Sequence, residues 1–64
     1  MTHDVLLTAR AAASRLSLSE STLAKMRMNR AGPHWVALGR AVRYRVADLD
    51  SWVADRTVST DSVA

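Results

Sequence analysis

Two short runs of alternating side chains within residues 32–45, separated by Gly39-Arg40, constrain the fold of this 64-residue chain more than any other feature. Their period of two predicts two antiparallel strands, and the glycine-arginine pair supplies the tight turn between them. A hairpin this short is not stable alone in water, so one face has to pack against the rest of the chain. That packed face is expected to hold Val36, Leu38, Val42, Tyr44 and Val46.

Arginines occupy the remaining positions of the hairpin. Arg40 lies at the turn, and Arg43 and Arg45 alternate with the apolar residues of the second strand, so they point away from the packed face. Guanidinium groups at a tip and on an open face are available to bind phosphate oxygens. Such charges also protect a sheet edge from pairing with other chains, and this pattern alone leaves both roles open.

Composition excludes several classes of protein. A chain of 64 residues makes one small domain with a thin core. It has no cysteine, and His3 and His34 lie far apart, so neither a disulfide nor a metal site is expected, and no cofactor. No apolar run approaches the ~20 residues of a membrane span, and residues 1–4 lack the basic start of a signal peptide. These features predict a cytoplasmic protein without a membrane partner.

The charge is unevenly distributed along the chain. Its net value is +3, but the first 47 residues carry +6 and the remainder carries −3. The hairpin belongs to the basic part, and the acidic part begins where a third helix is predicted. The basic part is therefore suited to an anionic partner.

Two helices joined by a very short turn are predicted before the hairpin. Thr8 is suited to N-cap the first and Ser19 the second, because their hydroxyls can accept from free backbone N–H groups. So short a connection makes the helices cross steeply, with Ser17 left-handed at a cost of roughly 1 kcal/mol. The inward face of the first helix is predicted to comprise Ala9, Ala12, Ala13 and Leu16.

The second helix is expected to cover residues 20–30, with Leu23, Met26 and the aliphatic stem of Arg30 turned inward. Gly32 is expected at its left-handed C′ position, and the proline that follows stops the helix.

A third helix is expected over residues 47–56, with Asp48 and Asp50 in its first turn, where they favour the helix dipole. Residues 57–64 contain little apolar material and are expected to be a mobile tail. The third helix should turn Leu49, Trp52 and Val53 inward.

Five segments follow one another in order: Leu6–Thr8 before an alanine-rich helix, Leu18–Leu23, Gly32-Pro33, Leu38–Tyr44 and Asp48–Trp52. Their order and spacing resemble those of small phage excisionases and AlpA-type proteins, whose fold is similar to the DNA-binding domain of MerR regulators. The resemblance covers roughly residues 5 to 54. It implies a mainly α fold with a small β-hairpin: a winged helix-turn-helix of three helices plus a two-stranded wing, formed by residues 1–56. The chain departs from the pattern at Ser17, usually glycine, and at Ala11, usually a glutamate that completes the capping box.

The resemblance also implies a function without catalysis. The second helix would enter the major groove of double-stranded DNA and the wing would reach an adjacent groove or the backbone. Excisionases bind neighbouring sites cooperatively, bend the DNA and direct an integrase toward excision, whereas AlpA-type relatives regulate transcription. The expected partners are therefore DNA, a phage-type integrase and neighbouring copies of the chain.

The candidate DNA-binding residues are Ser21, Thr22, Lys25, Arg27, Arg40, Arg43 and Arg45. The first three lie near the start of the second helix, the part that approaches base edges in such complexes. Arg27 can reach a phosphate or lie toward the hairpin, and Arg45 can instead pair with Asp48 or Asp50. Trp35 fits core or edge packing better than base stacking. A protein-binding adaptor remains an alternative, because exposed leucine, methionine or tryptophan can dock a partner.

Overall fold

A computed structural model describes residues 5–58 of the chain. Its elements, in order, are β1 (Leu6–Thr8), α1 (Ala9–Arg15), α2 (Glu20–Met28), β2 (Val36–Leu38), β3 (Ala41–Arg45) and α3 (Val46–Asp55). The three predicted helices and the predicted hairpin are therefore confirmed. Within this range, no helix is both long enough and apolar enough to cross a membrane.

The sheet has three strands, where the sequence analysis expected two. Its order is β1-β3-β2 and both pairs are antiparallel, with Leu7 opposite Tyr44 in the added pair. A two-strand hairpin would leave one edge of β3 with unpaired backbone N–H and C=O groups, and β1 satisfies them. The hairpin is thus joined along one side to the start of the domain.

The register of the hairpin corrects the predicted packed face. Val36 lies opposite Arg43 and Leu38 opposite Ala41, and residues directly opposite in an antiparallel pair share a face. Val36 and Leu38 therefore lie on the outer face with Arg43, whereas Tyr44 lies on the inner face.

The two-residue turn that fixes this register is of type II′. Gly39 has a positive φ of 60° and Arg40 does not, and this turn type needs a left-handed residue at its first position only. A Cβ at Gly39 would meet nothing within 4 Å, so the glycine is required by its backbone conformation and not by lack of space.

The core lies between the inner face of the sheet and the three helices. Tyr44, Leu23 and Leu49 are its largest fully buried side chains, and Ala12 and Ala13 let α1 approach closely. The prediction that Tyr44 is a core residue is confirmed. Half-buried side chains that pack around this cluster are Leu7, Ala9, Leu16, Met26 and Val42.

Three expectations about buried side chains were wrong. Val53 is exposed on α3, because only Leu49 of the predicted stripe reaches the central cluster. Trp52 is half-buried outside that cluster, with the Arg56 guanidinium 4.3 Å from the centre of its ring. Val46 is half-buried, but the expectation that it lies on the second strand was wrong, since α3 begins there.

Both predicted N-caps are present. The Thr8 hydroxyl oxygen accepts from the backbone N–H of Ala11 at 3.1 Å, and that of Ser19 accepts from the N–H of Thr22 at 3.1 Å. Each hydroxyl satisfies one of the backbone donors left free in a first helical turn.

The ends of α1 and α2 share one hydrogen-bond pattern. After α1, Leu18 N–H donates to the Ala13 carbonyl and Ser17 N–H to the Ser14 carbonyl; after α2, Ala31 N–H donates to Met26 and Arg30 N–H to Arg27. This is the Schellman arrangement, which places a left-handed residue at C′.

Ser17 and Arg30 occupy these two positions, with φ of 57° and 55°. The left-handed Ser17 is as predicted. The assignment of Gly32 to C′ was wrong, because α2 ends at Met28 and Arg30 turns the chain first, so its stem is not part of the inward face. Gly32 is left-handed as well, and a Cβ there would lie 2.9 Å from the Cβ of Met26.

The aspartates of α3 have separate roles. Asp48 lies in the first turn as expected, but Asp50 does not, and its Oδ1 accepts from Arg15 Nη2 at 3.1 Å, which connects α3 to the end of α1. Both side chains of that pair are about half exposed, so the contact is worth only about 0–1 kcal/mol. Of the tail predicted over residues 57–64, residues 59–64 lie outside the described range.

Candidate nucleic-acid interface

One face of α2 is turned away from the core and carries polar side chains. Ser21 and Lys25 are one turn apart on it and both are exposed, whereas Leu23 on the opposite side is fully buried. Because the burial of Leu23 fixes the rotation of the helix, the exposure of the Ser21 and Lys25 face follows from packing on the other side.

The first turn of α2 holds a small network of three hydroxyls. The Ser19 hydroxyl donates to Thr22 Oγ1 at 2.8 Å, and Ser19 Oγ lies 3.2 Å from Ser21 Oγ. Either hydroxyl can be the donor in the second contact. Ser21 and Thr22 thus present exposed hydroxyl groups, each of which can donate or accept a hydrogen bond.

The two cations in the middle of α2 differ in their surroundings. Lys25 is exposed and makes no hydrogen bond or ion pair with any residue in the range 5–58. Arg27 is half-buried, its Nη1 donates to the Tyr44 hydroxyl at 2.9 Å, and its guanidinium lies 6.0 Å from the centre of that ring. Of the two orientations considered for Arg27, the structure has the one toward the hairpin, where it connects α2 to β3.

Arg40 stands at the tip of the hairpin. It is exposed, and no hydrogen bond or ion pair joins it to another residue of the described chain. Its guanidinium keeps all five donors for an external acceptor.

Arg43 and Arg45 are held by the protein to different extents. Arg43 is half-buried on the central strand and its Nη1 donates to the Val42 carbonyl at 2.8 Å. Arg45 Nη1 lies 3.4 Å from Asp48 Oδ2, so the alternative pairing considered for this residue is present with Asp48. Arg43 keeps further N–H groups that its contact with Val42 does not use.

An open groove runs between the end of α2 and the chain that leads into β2. Trp35, which is 43% exposed, borders it, and so does Met28, which is 83% exposed. Met28 was not among the predicted site residues, although its spacing from Ser21 and Lys25 places it on the same helical face. The remaining lining residues are Arg27, Arg30, Ala31, Gly32, Pro33 and His34.

The seven candidate residues do not form one contact cluster. Ser21 and Thr22 meet through Ser19, and Arg27 reaches the hairpin through Tyr44, whereas Lys25 and Arg40 contact none of the others through hydrogen bonds or ion pairs. Separate donors spread over a surface suit an extended polyanion better than a small ligand. Among residues 5–58, no group of three histidine, cysteine, aspartate or glutamate side chains could hold a metal ion.

The amino-acid sequence matches the family described as "Helix-turn-helix domain" over residues 6–57. The matched range begins with β1 and extends just past α3, so it contains every element described above. A comparison with curated proteins gives no match. Because the match covers most of the chain, the protein belongs to the helix-turn-helix domain family.

Proposed function

We propose that this helix-turn-helix protein binds double-stranded DNA sequence-specifically, with α2 in the major groove. The observation that carries the proposal is the outward face of α2, where Ser21, Thr22 and Lys25 are exposed while Leu23 anchors the opposite side. Acceptor, donor and cation are the groups that bind base edges and phosphates. Membership of the helix-turn-helix family supports the same reading.

The hairpin acts in this proposal as a wing on the DNA backbone. The guanidinium of Arg40 at its tip contacts no other side chain of residues 5–58 through a hydrogen bond or ion pair, and Arg43 and Arg45 follow on the outer face of β3. Charge-assisted hydrogen bonds to phosphate are stronger than neutral ones, so these arginines supply affinity more than sequence preference. Arg27 supports the interface by holding α2 against β3.

The biological role that we propose is that of an excisionase. In it the protein binds attachment-site DNA cooperatively, bends it and directs a phage-type integrase toward excision. The support is the resemblance of the ordered segments to small phage excisionases, and the closest alternative is an AlpA-type transcription regulator. The protein would act in the cytoplasm as a binding protein and not as an enzyme, in keeping with a family that is typically non-enzymatic.

Salt dependence tests DNA binding directly. If the interface contacts about four to six phosphates, log affinity should fall with log salt with a slope of about −4 to −5. Mobility shifts on duplexes from the genomic neighbourhood of the gene would measure it. Absence of salt-sensitive binding on every duplex would refute the proposal.

A protein-binding adaptor is the second candidate, and the outer face of the sheet favours it. Leu38 on that face is 50% exposed and Leu6 is 42% exposed, and each is available to a partner's apolar side chains. An apolar interface would be nearly indifferent to salt, so the salt titration separates the two functions.

Cooperation between copies follows from the small size of one module. A single domain of this kind buries only about 600–1,000 Å² on DNA, too little for high specificity. We propose that the basic part of one copy meets the acidic α3 of the next, where Asp55 is exposed. This contact repeats in one direction and does not close into a dimer.

Duplexes with one, two or three sites test this assembly. A monomer in free solution that fills direct repeats cooperatively, and bends them, is the expected result. A stable free dimer on inverted half-sites, or independent filling of each repeat, would contradict it. The unit that binds is residues 1–56, so deletion of residues 57–64 should leave the titration unchanged.

A further inference from the structure

We infer that Met28 is a specificity-determining residue that contacts the C5 methyl group of a thymine in the major groove. The inference rests on the proposed DNA-binding function and adds to it one residue, one base and one type of contact.

The position of Met28 on α2 is the first argument. Ser21, Lys25 and Met28 recur at i, i+4 and i+7, so they share the face that is turned away from the core. Met28 is 83% exposed there, whereas Met26 of the same helix is half-buried and packs against the central cluster. Core packing thus explains the methionine at position 26, whereas it does not explain the methionine at position 28.

The dimensions of α2 are the second argument. Met28 lies seven positions after Ser21, so at about 1.5 Å per residue the two lie about 10 Å apart along the helix axis. The major groove is about 12 Å wide, which is more than this separation. When the first turn of α2 lies in the groove, Met28 can therefore lie in the groove as well.

The chemistry of the groove is the third argument. Base edges in the major groove carry hydrogen-bond donors and acceptors, and the thymine methyl is the apolar group among them. A methionine thioether has no strong donor or acceptor, but it is flexible and polarisable and fits irregular apolar surfaces. The thymine methyl is therefore the partner in the groove that matches it.

The surroundings of Met28 favour DNA over a protein partner. Lys25 and Asn29 beside it on α2 are exposed and polar, so Met28 is the apolar member of a polar helical face, and the large apolar side chain nearest to it in the groove is Trp35. Arg27 and Arg30 line the groove that Met28 borders, and this positive charge suits a polyanion.

Replacement of single thymines by deoxyuridine tests the contact, because it removes one methyl group without changing base pairing. The probe is a duplex that the full chain selects from a random-sequence pool. We expect the wild-type protein to lose about fourfold in affinity at one or two thymines, which corresponds to burial of one methyl-sized group at about 0.8 kcal/mol. Met28→Ala should bind more weakly and show no further loss at those positions.

Two variants control the experiment. Met28→Leu keeps an apolar side chain and should retain the loss at the same thymines. Val58→Ala removes methyl groups from a residue that is also 83% exposed but lies outside α2, and should bind as the wild type does at every position.

The possible failures are distinguishable. If Met28→Ala keeps the full deoxyuridine profile, or if the wild type shows no position dependence, the Met28 contact is refuted while DNA binding stands. If the wild type selects no duplex and shows no salt-sensitive binding, the proposed function itself fails, and the contact fails with it.

Discussion

Helix α2 and the β2–β3 hairpin both present cations to the outside, but they hold them differently. On α2, Lys25 has no hydrogen-bond or ion-pair partner among residues 5–58, and Arg27 donates a hydrogen bond to the Tyr44 hydroxyl. On the hairpin, Arg40 at the tip has no partner within the described part of the chain, and Arg43 donates a hydrogen bond to the carbonyl of Val42. Each region thus has one cation without a partner among the described residues; α2 has one anchored cation, and the hairpin has two, because Arg45 pairs with Asp48.

The difference between the regions lies in what carries the available charge. Lys25 projects from a helix whose rotation is fixed by the buried Leu23, whereas Arg40 projects from a two-residue turn with open space around Gly39. A side chain on a rigidly held helix can be aimed at base edges, whereas one on an open turn can follow phosphates. We therefore expect α2 to supply specificity and the hairpin to supply affinity.

The largest effect is expected where the two regions meet, at Tyr44. Tyr44→Ala removes a fully buried aromatic side chain and should cost about 3–5 kcal/mol of stability, because a cavity replaces it. A domain of this length has only about 3–10 kcal/mol in total. Urea unfolding followed by circular dichroism should show that most of the cooperative transition is lost.

Tyr44→Phe is the matched control, because it keeps the ring and removes the hydroxyl that accepts from Arg27. It should cost about 1 kcal/mol. A double-mutant cycle with Arg27→Ala should show coupling between the two sites. Fully additive losses would mean that the hydrogen bond does not connect α2 to the hairpin energetically.

The next effect concerns sequence preference. Lys25→Ala or Thr22→Ala should cost roughly 1–3 kcal/mol on the specific site and less on random DNA, if these side chains bind base edges. Fluorescence anisotropy with both duplexes would measure the difference. Equal losses on the two DNAs would remove the distinction between the regions and make α2 a backbone contact.

A smaller and more uniform effect is expected at the hairpin. Arg40→Ala and Arg43→Ala should each weaken binding to all sequences and reduce the salt slope by about one unit, if each holds one phosphate. Arg40 should follow this pattern more closely, because Arg43 already donates to a carbonyl. A sequence-dependent loss at Arg40 would show that the tip recognises bases and would overturn its assignment to the backbone.

The smallest effect is expected at the left-handed residues that end α1 and α2. Ser17→Gly should raise stability by about 1 kcal/mol, because glycine adopts this conformation without steric cost. Arg30→Gly should stabilise by a similar amount and also remove a cation from the α2 side. Thermal unfolding of both variants would measure the change in stability, and DNA titration would measure the effect of losing the Arg30 cation. A Ser17→Gly protein no more stable than wild type would contradict the backbone strain assigned to Ser17.

Local features of the fold could be predicted from the sequence. The N-caps at Thr8 and Ser19 and the left-handed Ser17 each depend on residues within a few positions, where side-chain chemistry decides the backbone conformation. The end of α2 is an exception. Gly32 is the residue that usually marks a helix end, but hydrogen bonds from Arg30 and Ala31 close the helix two residues earlier.

Features that depend on distant pairing could not be predicted. A period of two shows which residues of one strand share a face. The register between the strands then decides whether Val36 lies on the face of Tyr44 or on that of Arg43, and a shift of one residue moves it to the other face. The third strand was missed for the same reason, because three residues carry too weak a pattern without their partner. At the candidate site, the exposure of Ser21 and Lys25 could be predicted from helical spacing. The hydrogen bond from Arg27 to Tyr44 could be seen only in the tertiary structure.

The pairing of β1 with β3 has a consequence for how the chain folds. Leu7 and Tyr44 are 37 positions apart, so their contact closes a long loop that contains α1, α2 and β2. Closing such a loop costs entropy before its contacts form, and chains with many distant contacts fold more slowly than helical bundles of similar size. The two helices can form transiently on their own, but α2 acquires its final orientation only when the loop closes. Assembly of the DNA-facing surface is therefore expected to be a late event in folding.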